Sequence, residues 1–596
     1  MALPPDPLHN RAMRALALLL LVSPLAAQDA DARLLRLLAD DLDERMRLSP
    51  TWATVRGDRR FDDRLGDEGP EARAAWLEHT RMRLKALAEI DAAALSPASR
   101  TNAGLFRYEL EQRLEAARFH PEQMEVTQLS GPQQDLPQLP GRISFTERKH
   151  FEDYLKRLEQ VPRYLDQVEA NLRAGLAAGR TPPRVTLGDA AVQALDNGTE
   201  AQERDPTLHP MYPPFPDASH PLAEPAKARI REKVVPAFRR FGTFLRDEYI
   251  PKCRASTAAK DGVDGIDFYR SRLRHHTTLD LTAEEIHATG LAEVARIRAE
   301  MMGVIARTDF PGRDRLEGDA LFKAFTEYLR TDPRFYFTDK EDLLRGYRDI
   351  AKRVDAWMPR LFSRLPRLSY GVKEMPAFIA TSAPTAYYYS GSLRNGVPGN
   401  FVANTFRLDQ RPKYEMVPLT LHEAVPGHHH QIALAQEMEG LPEWRTVLSY
   451  TAFGEGWALY AERLGLEMGD LLADPYDDFG RLSFEMWRAL RLVVDTGLHA
   501  MGWSRERAIE LMLANSALTR TNVEREVDRY ISWPGQATAY KIGELKIREL
   551  RARAEKELGD RFDLRAFHDM LLEEGSIPLP LLEQNTLAWI QRTKNQ

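Results

Sequence analysis

The sequence predicts a mainly α-helical protein with one small antiparallel sheet, and two observations carry this prediction. Most of the chain places apolar residues at the i, i+3, i+4 spacing of amphipathic helices, as in residues 151–172. The stretch of about 365–405 instead alternates apolar and polar residues and contains Gly396, Pro398 and Gly399, which is typical of short strands and turns. From residue 414 the helical spacing returns and continues nearly to the end.

The elements follow in order along the chain. Leucines around residues 34–42 begin the first amphipathic run. Thr282 followed by Glu285 has the pattern of a capping box, so a helix is predicted to begin there. Two stretches, 119–143 and 192–224, are rich in Pro, Gln and Asp, which favours long surface loops.

Composition narrows the class of protein. With 43% hydrophobic and 29% charged residues, the chain is typical of a soluble globular protein. The net charge of −6 argues against a nucleic-acid partner, because such proteins usually carry a basic surface. Cys253 is the only cysteine, so neither an intrachain disulfide nor a cysteine-based metal site can form.

The N-terminus has the pattern of a signal peptide. Arg14 precedes a short apolar run, and small residues follow up to Ala27, before the polar Gln28. The run is too short to span a bilayer, and the alternative is a buried N-terminal helix. No cysteine follows it, which argues against a lipoprotein anchor. We expect residues 1–27 to be removed near Ala27, and residues 28–596 to lie in the periplasm or outside the cell without a membrane span.

A histidine cluster carries the chemistry. His422 and Glu423 form the front half of a helical zinc motif in which a second histidine normally lies four residues after the first. Four residues advance a helix by about 400°, so both imidazoles then face one metal. Here that position is Pro426, and the next histidine is His428. Six residues advance a helix by about 600°, so a regular helix cannot place both histidines on one ion.

Pro426 and Gly427 supply a reason for the helix to depart from regularity. Proline has no N–H, and its ring clashes with the carbonyl four residues earlier, that of His422. Glycine then permits backbone angles that other residues avoid. We therefore predict a kink or bulge that carries His428 back toward the metal, with His429 as the reserve ligand.

Glu455 is predicted as the third metal ligand. It lies on a helical segment about twenty-five residues later, and Glu462 follows two turns on, on the same face. Two histidines and one carboxylate leave a fourth position for water, which is the arrangement of a catalytic zinc site. Glu423 would then be the base for that water. The alternatives are a surface histidine tract, an adventitious metal site, or buried core histidines.

Two motifs, at 422–431 and 455–462, resemble those of the bacterial domain-of-unknown-function family 885. Further similar segments extend the resemblance over essentially the whole mature chain; they are 275–282, 387–404, 491–499, 529–543 and 567–579. The family is similar, at a distance, to mostly helical zinc peptidases such as carboxypeptidase Taq, thimet oligopeptidase and angiotensin-converting enzyme. The resemblance implies a two-lobed helical architecture around a deep cleft, with approximate lobes 28–260 and 261–596 and the small sheet beside the metal.

The resemblance also implies donors for the oxyanion that forms during amide hydrolysis. Tyr540 is the first choice for this role, Tyr530 the second, and His499 is a candidate histidine. Arg529 and Gln536 are candidates to hold these donors or a terminus of the substrate.

The resemblance implies that the edge of the small sheet binds the substrate backbone. Tyr387, Tyr388 and Asn404 are the candidate substrate-binding residues in that region. We therefore expect a Zn²⁺-dependent hydrolase acting on peptide bonds of short peptides. The alternatives are a non-catalytic peptide-binding protein on the same scaffold and a zinc amidase acting on a non-peptide amide.

Overall fold

The computed structural model describes residues 24–215, 219–380, 384–393 and 396–595. Most of the predicted signal peptide, residues 1–23, lies outside the described residues. The first described helix begins at Pro24, so the predicted cleavage point at Ala27 falls in its first turn. Among the described helices, none is long and apolar enough to cross a membrane.

The protein is mainly α-helical, as predicted. In chain order the helices are α1 Pro24–Leu48, α2 Pro50–Val55, α3 Pro70–Ala88, α4 Pro97–Ala117, α5 Pro132–Gln138, α6 Arg148–Ala178, α7 Gly188–Asp196, α8 Glu200–Arg204, α9 Ala223–Arg229, α10 Val235–Phe244, α11 Ile250–Lys252, α12 Gly265–Thr277, α13 Ala283–Ile305, α14 Gly318–Thr331, α15 Lys340–Asp355, α16 Met358–Leu361, α17 Ala377–Ala380, α18 Met416–Glu423, α19 His428–Gln436, α20 Thr451–Leu464, α21 Pro475–His499, α22 Arg505–Asn515, α23 Arg520–Ser532, α24 Ala539–Leu558, α25 Leu564–Leu572 and α26 Leu579–Asn595. Two π-helical turns, Ile230–Val234 and Leu245–Tyr249, join α9, α10 and α11 into one rod. The predicted capping box is present, because the Thr282 hydroxyl accepts from the Glu285 amide at the start of α13.

The small sheet lies where it was predicted, but its topology differs. Its strands are β1 Tyr370–Glu374, β2 Ala386–Tyr389 and β3 Gly399–Ala403, in the order β1-β3-β2. β2 pairs with β3 antiparallel, whereas β1 pairs with β3 parallel. The prediction of an antiparallel sheet is therefore wrong, and the sheet is mixed. After β1 at one edge of the sheet, the chain crosses to β2 at the other edge. It then returns through β3 in the centre, which runs antiparallel to β2 and parallel to β1.

The two stretches predicted as surface loops contain short helices. Pro132 is the first residue of α5, where its missing N–H costs nothing, and Gly131 precedes it at φ 123°. In the second stretch, Thr199 and Gln202 form a capping box that starts α8. Proline and polar residues act here as helix-start signals, which explains why composition alone misassigned them.

The largest apolar core joins the beginning of the chain to its end. It contains residues of α1 and α4 together with residues of α20, α24, α25 and α26. Trp444 connects the two parts: its ring packs edge-on against Phe106 at 5.2 Å, and its Nε1 donates to Asp41 at 3.1 Å. A second core surrounds α6, α7 and α10. The division into lobes near residue 260 stays a prediction, but the apolar core itself does not divide there.

α20 and α24 cross with almost no space between their backbones. A Cβ added to Gly456 would lie 2.6 Å from Gly543, and one added to Gly543 would lie 2.0 Å from the carbonyl oxygen of Ala452. Glycine is therefore required at both positions. This crossing brings the start of α24 beside the part of α20 that carries Glu455.

We expect Gly543→Ala to lower the free energy of unfolding by about 1–3 kcal/mol, because the new methyl group would force the two helices apart. Urea unfolding followed by circular dichroism measures this change. Gly104→Ala is the matched control: Gly104 lies in α4 with nothing within 4 Å of an added Cβ. Replacing that helical glycine should stabilise the protein by about 0.4–1 kcal/mol. Equal unfolding midpoints for Gly543→Ala and wild type would contradict the close crossing.

Candidate metal centre

The helix that carries His422 ends immediately after it. α18 stops at Glu423, and a separate helix, α19, begins at His428. The Val425–Pro426 peptide bond between them is cis. The sequence predicted a kink or bulge, and the structure has a complete break. Pro426 cannot donate the hydrogen bond that would continue α18, which is why the helix does not run on.

Gly427 makes the return of the chain possible. A Cβ at this position would lie 1.9 Å from the carbonyl oxygen of His422, so only glycine fits against the end of α18. Trp457, on α20, holds the turn from the other side, because its Nε1 donates to the Pro426 carbonyl at 2.8 Å. His428, which follows Gly427 in the chain, then lies beside His422, with the ring centroids 4.8 Å apart and the ring planes at 85°.

Three predicted ligands come together at this point. One ligand atom each from His422, His428 and Glu455 lies within 4.8 Å of the other two. Glu455 Oε2 is 3.5 Å from His422 Nε2 and 3.6 Å from His428 Nε2. Tetrahedral zinc with bonds of about 2.0–2.2 Å would hold neighbouring ligand atoms roughly 3.4 Å apart. The geometry and the donor types therefore fit a zinc ion.

Glu462 orients the first histidine. Its Oε1 accepts a hydrogen bond of 2.8 Å from His422 Nδ1, and the Glu462 side chain is buried. With one proton held on Nδ1, His422 can present the lone pair of Nε2 to a metal ion on the side where Glu455 lies. Carboxylate–histidine pairs of this kind commonly set the tautomer of a metal ligand. Glu462 lies two turns after Glu455 on α20, so both carboxylates are on the same face of that helix.

The electrostatics favour a cation among these groups. Burial by itself lowers the pKa of His422, but hydrogen bonds to Glu455 and Glu462 reverse this and raise the pKa to about 9. Burial would likewise raise the pKa of Glu455, yet His422 and His428 hold it well below its ordinary value. Without a metal, protons supply the positive charge that the two carboxylates require. A divalent cation would take the place of those protons.

Glu423 lies next to the cluster, at the end of α18. It is 9% exposed, which places it at the boundary between the core and solvent. Within the part of the chain that the structure describes, its carboxylate forms no ion pair, and the side chains of His428 and Glu455 beside it are 18% and 24% exposed. The candidate base therefore directly follows one ligand in the chain, and no ion pair among the described residues occupies its carboxylate.

Tyr540 approaches the cluster from α24. Burial raises the pKa of its phenol, and the negative charge of Glu455 raises it further, whereas Arg491 and Arg529 oppose the rise. The Arg491 guanidinium lies 4.4 Å from the centroid of the Tyr540 ring. Tyr540 thus stands between a carboxylate of the metal cluster and a pair of arginines.

Arg529 and Gln536 form the surroundings of Tyr540. The Arg529 guanidinium donates to Gln536 Oε1 at 2.6 Å and to Glu526 at 3.1 Å. The side chain of Gln536 in turn lies close enough to the Tyr540 hydroxyl to lower the pKa of that phenol. These contacts favour the predicted role of holding the donor over that of holding a substrate terminus.

Two other predicted donors lie in different surroundings. His499 is fully buried: its Nε2 donates to the Tyr530 carbonyl at 2.9 Å, and its Nδ1 accepts from the Ala259 amide at 3.3 Å. Burial lowers its pKa to about 4, so the ring stays neutral. The hydrogen-bonding capacity of the Tyr530 hydroxyl is also used within the protein, because this group donates to Glu526 and accepts from Arg491 and Trp487. The structure brings neither His499 nor the Tyr530 hydroxyl to the metal cluster.

The reserve ligand, His429, points away from the cluster. Its Nε2 donates to the Leu368 carbonyl at 3.0 Å, and its Nδ1 accepts from the Tyr388 hydroxyl at 3.0 Å. Both nitrogens are therefore engaged, which leaves His428 as the second histidine of the cluster that could hold a metal ion. Tyr388 consequently anchors α19 to β2 rather than facing a substrate.

Asn404 is a structural residue in this fold. It is 1% exposed, and its Nδ2 donates to the carbonyls of Ala380 and Pro384. Its Oδ1 accepts from the Phe406 amide. The prediction that Asn404 contacts a substrate conflicts with these contacts, since the amide already closes the loop before β2. Tyr387 packs against Met375 and Val402 on one face of the sheet.

Two residues that shape the site have no role predicted from the sequence. Trp457 holds the Pro426 turn, and Glu526 shares its carboxylate between Arg491 and Arg529. Trp457 lies two residues after Glu455, on a different side of α20, so its spacing gives no indication of a contact with the turn. Glu526 lies three residues before Arg529, and this i, i+3 spacing could have indicated the pair.

Comparison with known proteins identifies the family. The model for bacterial proteins of unknown function, DUF885, matches residues 50–585, and the chain belongs to this family. No curated protein matches the chain.

Solved structures agree with this fold. A candidate lipoprotein from Colwellia psychrerythraea matches with a TM-score of 0.84 at 28% identity, over 95% of this chain and 99% of that chain. A candidate lipoprotein of unknown function from Shewanella oneidensis has a TM-score of 0.75 at 18% identity, over 94% of this chain and 99% of that chain, and shares the fold. A candidate oligoendopeptidase F from Bacillus anthracis has a TM-score of 0.25 at 11% identity, which is too low to indicate a common fold.

We expect Glu455→Ala and His428→Gln to lose bound zinc after dialysis, because each removes one of three ligands. Glu462→Gln should weaken zinc affinity by about 10- to 100-fold, since it removes only the orienting partner of His422. Zinc per chain, measured by plasma mass spectrometry on folded protein, gives the result.

His429→Gln and the exposed Glu439→Ala are the matched controls and should retain zinc. Loss of zinc in His429→Gln with retention in His428→Gln would reverse the assignment of the second histidine.

Proposed function

We propose that this protein is a zinc-dependent hydrolase that cleaves peptide bonds in short peptides. The observation that carries the proposal is the meeting of His422, His428 and Glu455 at distances that suit a tetrahedral ion, with Glu423 beside them. Three protein ligands leave one coordination position for water or substrate, as catalytic rather than structural zinc sites do.

When bound, zinc would polarise the scissile carbonyl and lower the pKa of a water molecule. The chain's own residues do the remaining work. The Glu423 carboxylate accepts the proton of the attacking water and passes it to the nitrogen of the leaving amine. Its lack of an ion-pair partner in the described chain keeps its lone pairs available for this transfer. Glu462 holds the proton on His422 Nδ1 throughout, so His422 keeps one orientation.

Tyr540 is the proposed donor to the carbonyl oxygen as negative charge develops on it. A hydroxyl group placed for this purpose is most effective in a partly dry site. Arg491 and Arg529 oppose the rise in the pKa of Tyr540 that burial and Glu455 cause, so they make the phenol a stronger hydrogen-bond donor. Gln536 and Arg529 keep the ring in place.

β2 is the proposed binding edge for the peptide backbone. It is an edge strand of the described sheet, it pairs only with β3 there, and it packs against α18, the helix that carries His422. An extended peptide could add to this edge through main-chain hydrogen bonds. Tyr389, at its end, is 61% exposed and could cover such a peptide. We also propose that a deep cleft surrounds the metal centre and excludes folded proteins as substrates.

The non-catalytic alternative depends on whether the break after α18 separates the two histidines. His428 Nε2 lies 3.6 Å from Glu455 Oε2, so the break does not keep it from the ligand cluster. This favours catalysis over peptide binding alone. A non-peptide amide remains an alternative substrate that the same residues would serve.

We also propose that the protein is exported from the cytoplasm. The leader pattern before Gln28 predicts it, and the descriptions of the relatives from Colwellia and Shewanella as candidate lipoproteins support it. The proposed partner is a short peptide met in the periplasm or outside the cell.

Glu423→Gln should abolish turnover, by at least about 100-fold, while zinc content stays at the wild-type level. The amide keeps the size of the side chain but cannot accept the proton. Turnover is measured on a library of short peptides with detection of products by mass. Equal turnover by the zinc-loaded variant and by wild type would eliminate this role for Glu423.

Tyr540→Phe should reduce kcat by about 100- to 1,000-fold with little change in KM, because the lost hydrogen bond forms mainly in the transition state. Tyr336→Phe is the matched control: its hydroxyl donates to the Leu329 carbonyl, and its removal should leave kcat unchanged. A Tyr540→Phe enzyme with wild-type kcat would exclude Tyr540 as the donor.

A further inference from the structure

Arg272, on α12, is a cation without a matching carboxylate. Its Nη2 donates to His276 Nε2 at 2.6 Å, and among the described residues this is its only hydrogen bond. Burial is the only influence on its pKa, which falls to about 10, so no carboxylate lies close enough to raise it. The charge of Arg272 is therefore not balanced within the described chain.

The histidines beside Arg272 add no negative charge. The pKa values of His275 and His276 are lowered by burial and by the nearby guanidinium, that of His275 to about 4. Both imidazoles are therefore neutral at physiological pH, and His276 Nε2 can accept from Arg272. His276 thus holds the guanidinium in place without cancelling its charge.

Arg272 and His275 line a recess that is open to solvent. The Arg272 side chain is partly exposed and that of His275 is exposed, yet burial lowers the pKa of both. A side chain that projects from a convex surface keeps its surrounding water, so these two observations together indicate a concave wall. The Nε and Nη1 atoms of Arg272 donate no hydrogen bond in the described chain and are not closed off from solvent. A ligand can therefore reach these donors.

The recess lies beside the residues proposed for catalysis. α12 packs against α20, which carries Glu455, and against α24, which carries Tyr540. A Cβ added to Gly535 would lie 3.1 Å from the carbonyl carbon of Arg272, so the two backbones touch. The next residue, Gln536, is the one that lies close to the Tyr540 hydroxyl. Arg272 thus contacts the segment that surrounds the proposed oxyanion donor.

The arginines next to Tyr540 differ from Arg272, because a carboxylate matches them. Arg491 and Arg529 share Glu526, at 3.2 Å and 3.1 Å. Their charges are used within the protein, whereas the charge of Arg272 is available to a ligand.

We propose that Arg272 binds the free C-terminal carboxylate of the peptide substrate, so that the enzyme acts as a carboxypeptidase. This inference rests on the proposed hydrolase function and adds the class of substrate to it. The planar donors of a guanidinium can form paired hydrogen bonds to a carboxylate. The same charge would repel a free amino terminus, which makes the C-terminus the end that fits.

A carboxylate held at Arg272 fixes the position of the bond that breaks. An extended peptide advances about 3.3–3.6 Å per residue, so the distance from Arg272 to the metal centre corresponds to a fixed number of residues. Hydrolysis adds water across that bond. The N-terminal fragment gains a new carboxylate, and the released C-terminal fragment gains a new amine.

Turnover of matched peptides with a free C-terminal acid or a C-terminal amide, by the zinc-loaded full chain, tests the proposal. We expect kcat/KM for the acid to exceed that for the amide by about 10- to 100-fold, because a charge-assisted hydrogen bond contributes roughly that factor. Free-acid peptides of increasing length with one common C-terminal sequence should all release the same C-terminal fragment, identified by its mass. An amidated peptide that contains an aspartate distinguishes the other source of a carboxylate. Turnover of that peptide at the rate of the free acid would assign Arg272 to acidic side chains instead and overturn the proposal.

Arg272→Gln should lower the ratio of kcat/KM for acid to kcat/KM for amide to about 1, since it removes the charge. Arg272→Lys keeps the charge without the planar donors and should give an intermediate ratio. Each ratio is measured within one variant, so a loss of folded protein does not change it. Arg274→Gln is the matched control, because Arg274 lies about 200° around α12 from Arg272 and pairs with Glu115 at 3.5 Å. It should keep the wild-type ratio.

Binding of the acid and the amide to zinc-loaded Glu423→Gln, measured by calorimetry, separates this inference from the hydrolase function. If wild type cleaves no peptide but this variant binds the acid more tightly, the hydrolase function fails and the carboxylate site stands. Equal turnover of acid and amide by wild type would overturn the carboxylate site. So would a wild-type ratio in Arg272→Gln, or cleavage at a fixed distance from the amino terminus.

Discussion

The contact between Gly427 and the end of α18 is the constraint on which the metal centre depends. The α-carbon of Gly427 lies so close to the His422 carbonyl that no side chain fits, and the chain can therefore turn back within the four residues between α18 and α19. Trp457 closes this turn from α20, the helix that also carries Glu455. One indole thus links the two parts of the chain that contribute ligands. A displacement of the turn would move His428, and its distance to Glu455 would change as a result.

Buried ion pairs fix the helices behind the site. Lys541 is fully buried on α24 and contacts Glu485 at 2.8 Å, Glu544 at 2.9 Å and Glu293 at 3.0 Å. These carboxylates lie on α21, α24 and α13, so one ammonium group joins three helices. Buried ion pairs are expensive to form and costly to break singly, so they favour one arrangement of the helices over shifted alternatives. Arg488, on α21, lies 3.5 Å from Glu462 and connects this arrangement to the partner of His422.

The charges around the metal centre suit a cation. The metal centre gathers carboxylates, which hold the pKa of His422 high and suit a cation. The metal centre also holds a buried oxygen, Glu462 Oε2, that has no hydrogen-bond partner among the described residues.

The sequence by itself determined the helical class, the place of the small sheet, and the residue types of the metal centre. These follow from local patterns: apolar spacing gives the helices, and the order of His422, Glu423, Pro426 and Gly427 gives both the ligands and the break. Tertiary structure decided between His428, the predicted ligand, and the reserve His429, because Tyr388 and the Leu368 carbonyl engage both nitrogens of His429.

Other predictions failed for the same physical reason. The parallel pairing of β1 with β3, the buried surroundings of His499, and the structural role of Asn404 all depend on partners far away in the chain. Local spacing contains no information about such partners. The sequence specified the donors of the site, and the packing of α18, α19, α20 and α24 decided which of them meet.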